Sequence, residues 1–164
     1  MIEAFLGMPG AGKTYLMTRQ GLKLQKKKRT VYANYPLKGA IRFEQISDVY
    51  EVRNAIILLD EAGLIAPSSG WKSIPFEVMA HWREHRHHGV SLFYTAQDLQ
   101  DVAAPLRRVT QFINRVQKFG PIISWRCYGG TRYKDKYSGG FTVVDPSICA
   151  AYDTHADVAR QSYL

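Results

Sequence analysis

Gly7-Met8-Pro9-Gly10-Ala11-Gly12-Lys13-Thr14 follows without a break on the apolar run Ile2–Leu6. Two glycines, a lysine and a threonine at this spacing form the phosphate-loop pattern. Glycine lets the backbone curl until several N–H groups point at one phosphate, and the loop delivers that anion to a helix N-terminus. Lys13 sets a cation against the β- and γ-phosphates of ATP, and Thr14 offers a hydroxyl to Mg²⁺. Contacts to the nucleotide are therefore expected over Gly7, Pro9, Gly10, Ala11, Gly12, Lys13 and Thr14. The context agrees. Ile2–Leu6 reads as a buried strand, and Tyr15, Leu16, Met17, Leu22 and Leu24 continue as a helix that begins inside the loop.

The next informative stretch is Ala55–Leu59, a continuous apolar run that ends in Asp60-Glu61. Such a run is the pattern of a parallel strand buried on both faces. Ligands of open α/β sheets sit at the C-terminal ends of the strands, where these two acids fall. Asp60 is expected to hold Mg²⁺ and Glu61 to polarise the water that attacks the γ-phosphate. The alternative is an ordinary pair of loop acids. A second buried run, Val90–Thr95, leads to Gln97, which either contacts the γ-phosphate and the attacking water or caps the helix that follows.

Around these motifs the remaining elements alternate. Thr30–Asn34 reads as a strand closed by Pro36 and Gly39, and Pro67-Ser68-Ser69-Gly70 as a loop. Pro75 opens a helix to about His87 that Gly89 ends, and a short helix is expected near Val102–Arg107. From Gln111 the pattern changes to two β-rich stretches, Phe112–Phe119 and Ile122–Tyr128, around Gly120-Pro121, the signature of an antiparallel hairpin. The expectation is an α/β fold in one domain over 1–164. It is a P-loop NTPase fold with a mainly parallel sheet and an antiparallel β-hairpin extension.

With 46% hydrophobic and 22% charged residues, the chain has the make-up of a soluble globular protein. Its longest apolar run falls far short of the roughly 18 residues that span a bilayer. The net charge of +8 is unevenly placed. Residues 1–40 carry eight Lys/Arg against one acid, and so do residues 106–140. The stretch between them has five bases and nine acids. Two basic segments, Lys26–Arg29 and the hairpin from Arg115 to Lys136, suit DNA or anionic lipid, or are simply solvated surface charge. Cys127 and Cys149 are expected to be reduced, buried thiols. Of the histidines between His81 and His88, a polar helix face is expected rather than a metal site. Arg86 is the first candidate for an arginine supplied to a neighbouring subunit's transition state, with Arg107 and Arg108 as alternatives.

Taken together, Gly7–Thr14 after the first strand, Leu58-Leu59-Asp60-Glu61-Ala62, and His85-Arg86-His87-His88-Gly89 before a strand ending Thr95-Ala96-Gln97-Asp98 resemble the Zot (zonula occludens toxin-like) family. These are the assembly ATPases of filamentous phages, within the wider FtsK/HerA-type group. The resemblance implies a three-layer α/β sandwich core with the Gln97 strand inserted between the phosphate-loop and Asp60 strands. It implies a homo-oligomeric ring, a hexamer, that uses Mg-ATP at the host inner membrane to extrude single-stranded DNA during virion assembly, alongside other phage assembly proteins. Full-length members continue into a transmembrane helix and an exported part. This chain ends at Leu164 with neither, so the expectation is a cytoplasmic domain cut from a longer protein or a shortened relative. Two rival readings are a genome-packaging ATPase of a tailless double-stranded DNA virus and a small-molecule kinase. A GTP switch lacks its Asn-Lys-x-Asp motif.

Overall fold

A computed structural model describes residues 1–130 and 135–152. Within them the chain runs β1 (Ile2–Leu6), α1 (Lys13–Gln25), β2 (Thr30–Ala33), β3 (Ile41–Arg42), β4 (Ala55–Leu59), α2 (Ala62–Ile65), α3 (Phe76–Glu84) and β5 (Ser91–Ala96). It continues as α4 (Ala104–Val109), β6 (Phe112–Phe119), β7 (Ile122–Gly129), β8 (Asp135–Val143) and α5 (Pro146–Cys149). The strands form one sheet in the order β3-β2-β4-β5-β1-β6-β7-β8. All pairings from β3 to β6 are parallel, and those of β7 and β8 are antiparallel.

Side chains of the central strands alternate between two cores, as the pleat requires. Ile57 and Leu59 of β4 join Leu92 and Tyr94 of β5 under α2, α3 and α4. Ile56, Leu58 and Phe93 face the other way, against Leu16 and Met17 of α1. All five residues of β4 are buried, which is why the sequence reads as an unbroken apolar run. This is the expected three-layer arrangement, with β5 between β4 and β1.

The hairpin differs from the expectation in two ways. Its first arm, β6, is itself a parallel strand of the main sheet, paired with β1 from Glu3↔Phe112 to Leu6↔Arg115. A third strand, β8, extends the sheet beyond β7, and its glycines explain why no strand pattern shows in the sequence there. Beyond Arg115, β6 runs past the end of β1, so the hairpin projects over the edge where the phosphate loop lies.

Helix α3 stops at Glu84, three residues before the expected His87, and a turn leads to Gly89 at φ +67°. At the end of α3 the buried His85 ring donates from Nδ1 to the Trp82 carbonyl at 2.8 Å. The polar-face expectation holds for the exposed His87 but not for His81 and His85. His81 and His85 are each only 5% exposed, and His81 stacks on His88 with ring centroids 4.9 Å apart. Burial, reinforced by His88, Arg53 and His85, lowers the His81 pKa from 6.5 to about 4 against an opposing pull from Glu84. Cys127 is buried as expected, but Cys149 is exposed; both are free.

The folded chain therefore holds His81 neutral while the unfolded chain takes up a proton below about pH 6.5, so stability falls as pH drops from there towards 4. Urea unfolding at pH 7 and pH 5 is expected to show that loss in the wild type and a smaller one in His81→Leu.

Candidate nucleotide site

The loop between β1 and α1 is closely approached by the hairpin at Gly7 and Gly12. Gly7, Gly10 and Gly12 have φ of +158°, +75° and +88°. A Cβ on Gly7 would lie 2.5 Å from the Val116 carbonyl, and one on Gly12 would lie 2.6 Å from Ile123 Cδ1. The projecting hairpin thus forms the floor of the loop. Lys13 Nζ donates to the carbonyls of Gly7 (2.9 Å) and Met8 (3.0 Å). An ammonium has three donors, so one remains for a phosphate. Burial lowers the Lys13 pKa, opposed by the nearby Asp60 and Glu61 carboxylates.

Three strand ends meet at Asp60. Thr14 Oγ1 donates to its carboxylate at 2.9 and 3.1 Å, and Thr95 Oγ1, fully buried at the end of β5, donates at 2.5 Å. Asn34, just past β2, clamps the Asp60 peptide from both sides. Its Oδ1 accepts from Asp60 N–H (2.7 Å), and its Nδ2 donates to the Asp60 carbonyl (2.9 Å). Thr95 Oγ1 also accepts from Glu61 N–H at 2.8 Å. Glu61 itself sits at φ 51°, ψ 53°, a left-handed conformation that costs a non-glycine residue about 1 kcal/mol or more. The Thr95 bond holds it there, exposed at the cleft.

That cleft has a volume of about 970 Å³ and is lined by Pro9, Gly10, Gly12, Lys13, Thr14, Asp60, Glu61 and Gln97 among others. Gly7 and Ala11 of the loop lie beneath it, Ala11 packed in the α1-side core. Gln97 is exposed and caps nothing. Asp98 performs that task, accepting from Gln100 N–H at 2.9 Å at the head of a short 3₁₀ turn. Arg86 is not brought to the cleft. It follows α3 at the opposite edge of the sheet, near enough to the Met1 amino group to lower its pKa, after burial as the main cause. Arg107 bonds Gln100 Oε1. Asn34 went unnoticed in the sequence, although it occupies the same strand-end position as Asp60 and Thr95. Lys118, Ile123, Val144, Cys149 and Tyr152 also line the cleft, and no local motif announces them.

A strand, a glycine loop, a helix and an acid-tipped strand two places along a parallel sheet define a P-loop NTPase fold. The chain belongs to the zonular occludens toxin (Zot) family, whose model matches residues 38–123. That match begins after the phosphate loop, so the loop rests on its own sequence and geometry. Comparison with curated proteins finds no match by sequence. Among solved structures, the N-terminal domain of zonular occludens toxin from Neisseria meningitidis is similar with a TM-score of 0.68 at 16% identity, over 93% of this chain and 98% of that one. The genome packaging NTPase B204 from Sulfolobus turreted icosahedral virus 2, in complex with ATP-gammaS, is similar with a TM-score of 0.61 at 11% identity, over 85% of this chain and 95% of that one. The flagellar accessory protein FlaH from Methanocaldococcus jannaschii is similar with a TM-score of 0.55 at 11% identity, over 88% of this chain and 85% of that one. These identities are low enough that the likeness is one of fold.

Thr95→Val keeps the shape of the side chain but removes both its donor and its acceptor. It should destabilise the fold by about 1–2 kcal/mol, since the part-buried Glu61 N–H loses its partner and Asp60 Oδ1 keeps only Thr14 of its two donors. Thermal or urea unfolding reads the loss.

Proposed function

We propose that the chain is an ATP-hydrolysing motor subunit of phage type that moves DNA. The single observation that carries the reading is the convergence of Thr14 and Thr95 on Asp60 beside the loop lysine. A carboxylate and a hydroxyl so placed suit one hard cation and its water shell, the chemistry Mg²⁺ requires. In the reaction the loop amides and Lys13 stabilise the charge growing on the β–γ bridge, and a Mg²⁺ held by Thr14 and Asp60 would supply further positive charge there. Glu61 accepts a proton from the attacking water, and Gln97 orients that water. The paired acids and the glutamine favour water over an alcohol acceptor, and so hydrolysis over small-molecule phosphorylation.

Arg86 lies far from its own cleft, so any part it plays in hydrolysis is in a neighbour's site, within a ring of several copies. Arg107 and Arg108 remain alternatives for that role. The DNA reading draws support from charge and shape. Arg115 and Arg126 pair across β6 and β7, on the same exposed face as Phe119 and Phe141, which are 65% and 73% exposed. Arginine and open aromatic rings suit unpaired bases and their phosphates. Arg132 and Lys134 of the same basic segment lie outside the described residues. The other cluster, Lys26–Arg29, falls at the opposite edge of the sheet, where Arg29 donates to the Gly89 carbonyl at 3.0 Å. The 13 residues of α1, about 20 Å long, separate the two. Arg19, Lys23 and Lys26 line a groove beside α1 with Trp125, on the face of the sheet opposite to Arg115 and Arg126. Among the described residues no helix is long and apolar enough to cross a membrane. A site at the cytoplasmic face of the inner membrane therefore rests on the family resemblance.

Glu61→Gln is expected to bind Mg-ATP as the wild type does and to lose at least a hundredfold in turnover, while Gln97→Ala loses turnover more than affinity; normal turnover in Glu61→Gln contradicts the assignment. Affinity for single-stranded DNA should fall steeply with salt, and reversal of Lys26, Lys27 and Lys28 should flatten that slope. A preference for duplex DNA would favour the packaging alternative.

A further inference from the structure

One wall of the cleft comes from a part of the chain that supplies neither the phosphate loop nor the acidic strand end. After β8, residues 144–152 cross beside α1 and are fixed at three points. Val144 N–H donates to the Pro121 carbonyl at 2.8 Å. Asp145 N–H donates to the Tyr15 hydroxyl at 2.9 Å, and that hydroxyl donates to the Val143 carbonyl at 3.4 Å. Lys38 N–H donates to the Ala151 carbonyl at 2.9 Å, next to a bridge between Leu37 and Tyr152. The Tyr152 ring meets Tyr35 edge-on at 6.2 Å, held at its margin and half-buried. Val144, Cys149 and Tyr152 line the cleft that Lys13 and Thr14 also line.

We propose that segment 144–152 is the base-binding wall of the nucleotide site, with Tyr152 the stacking surface and Val144 and Cys149 beside it. The inference rests on the reading that the loop binds a triphosphate. Lys13, Thr14 and Asp60 take the phosphate and cation end, and about 970 Å³ is far more than a triphosphate fills. The nucleoside must then lie against one of the two remaining walls. The one beyond Glu61 presents Gly63, Leu64, Pro67, Ser68, Ser69 and Asp101, aliphatic and polar groups with no aromatic ring among them. The wall at 144–152 presents aromatic and aliphatic surface. Its anchor, Tyr15, is the residue next to Thr14, so the wall is tied to the same helical turn that receives the phosphates. Stacking accepts any base, because every base has a π-face. The side chains of Val144, Cys149 and Tyr152 include no amide or carboxylate to read a purine edge, so adenine and guanine are taken with little preference.

The test is direct binding of Mg-ATP, Mg-GTP and Mg-tripolyphosphate to wild type, Tyr152→Ala, Tyr152→Phe and Cys149→Trp. Wild type should bind ATP and GTP within about threefold of each other, and both about tenfold more tightly than tripolyphosphate. Tyr152→Ala and Cys149→Trp should each lose about tenfold for ATP, while Tyr152→Phe retains it. Tripolyphosphate affinity should stay constant across the series, which also shows that the variants are folded. Tyr152→Ala and Cys149→Trp that leave ATP affinity intact, or that weaken tripolyphosphate equally, overturn the proposal. Wild type that binds tripolyphosphate as tightly as ATP overturns this inference alone. Wild type that binds neither ligand overturns the triphosphate reading as well.

Discussion

The Asp60 carboxylate receives hydroxyls from Thr14 and Thr95, and its peptide is clamped by Asn34. Those three partners come from the start of α1 and from the ends of β5 and β2, so one side chain ties the phosphate loop to both strands that flank its own arm of the sheet. The sheet order makes this possible. Because β5 lies between β4 and β1, Thr95 reaches Asp60 from one side while Asn34 of β2 reaches it from the other. A carboxylate held by charge-assisted hydrogen bonds on both sides keeps one geometry, which is what a cation site needs. The left-handed backbone at Glu61 follows from the same arrangement, since the Thr95 hydroxyl that donates to Asp60 also accepts from Glu61 N–H.

The hairpin and the segment after it complete the site from the far side of the sheet. Val116 and Ile123 press closely on Gly7 and Gly12: a Cβ on Gly7 would meet backbone, and one on Gly12 would displace the Ile123 side chain. The conformational freedom that the motif is known for is here accompanied by a steric demand from strands over a hundred residues away. The opposite face of those strands carries Arg115, Arg126, Phe119 and Phe141. A ligand on that face and a nucleotide on the loop would therefore share one layer of backbone, a short mechanical path between the two.

Much of the centre was legible in the sequence because short-range chemistry dictates it. Gly7–Thr14 and the acid pair after Ala55–Leu59 each state their role within a few residues, and the alternation of strands and helices follows from apolar runs of the right length. What was not legible depends on contacts distant along the chain. Nothing near Asn34 says that it will grip Asp60, 26 residues away. Strand β8 carries Gly139 and Gly140 where a strand pattern would have apolar residues, because they pack against Trp125 of its neighbour. His81 and His85 look polar in the sequence, yet tertiary packing buries both. Arg86, chosen as an arginine for a neighbouring subunit's site, lies at the opposite end of the strands from its own cleft.

The account turns on Asp60 as the place where the cation is held. The most direct measurement is the affinity of ATP-gammaS with and without Mg²⁺, for wild type and Asp60→Asn. Mg²⁺ should tighten binding by about tenfold or more in the wild type, and that increment should vanish in Asp60→Asn while the metal-free affinity is kept. An Asp60→Asn protein that retains the full Mg²⁺ increment would contradict the account at its centre.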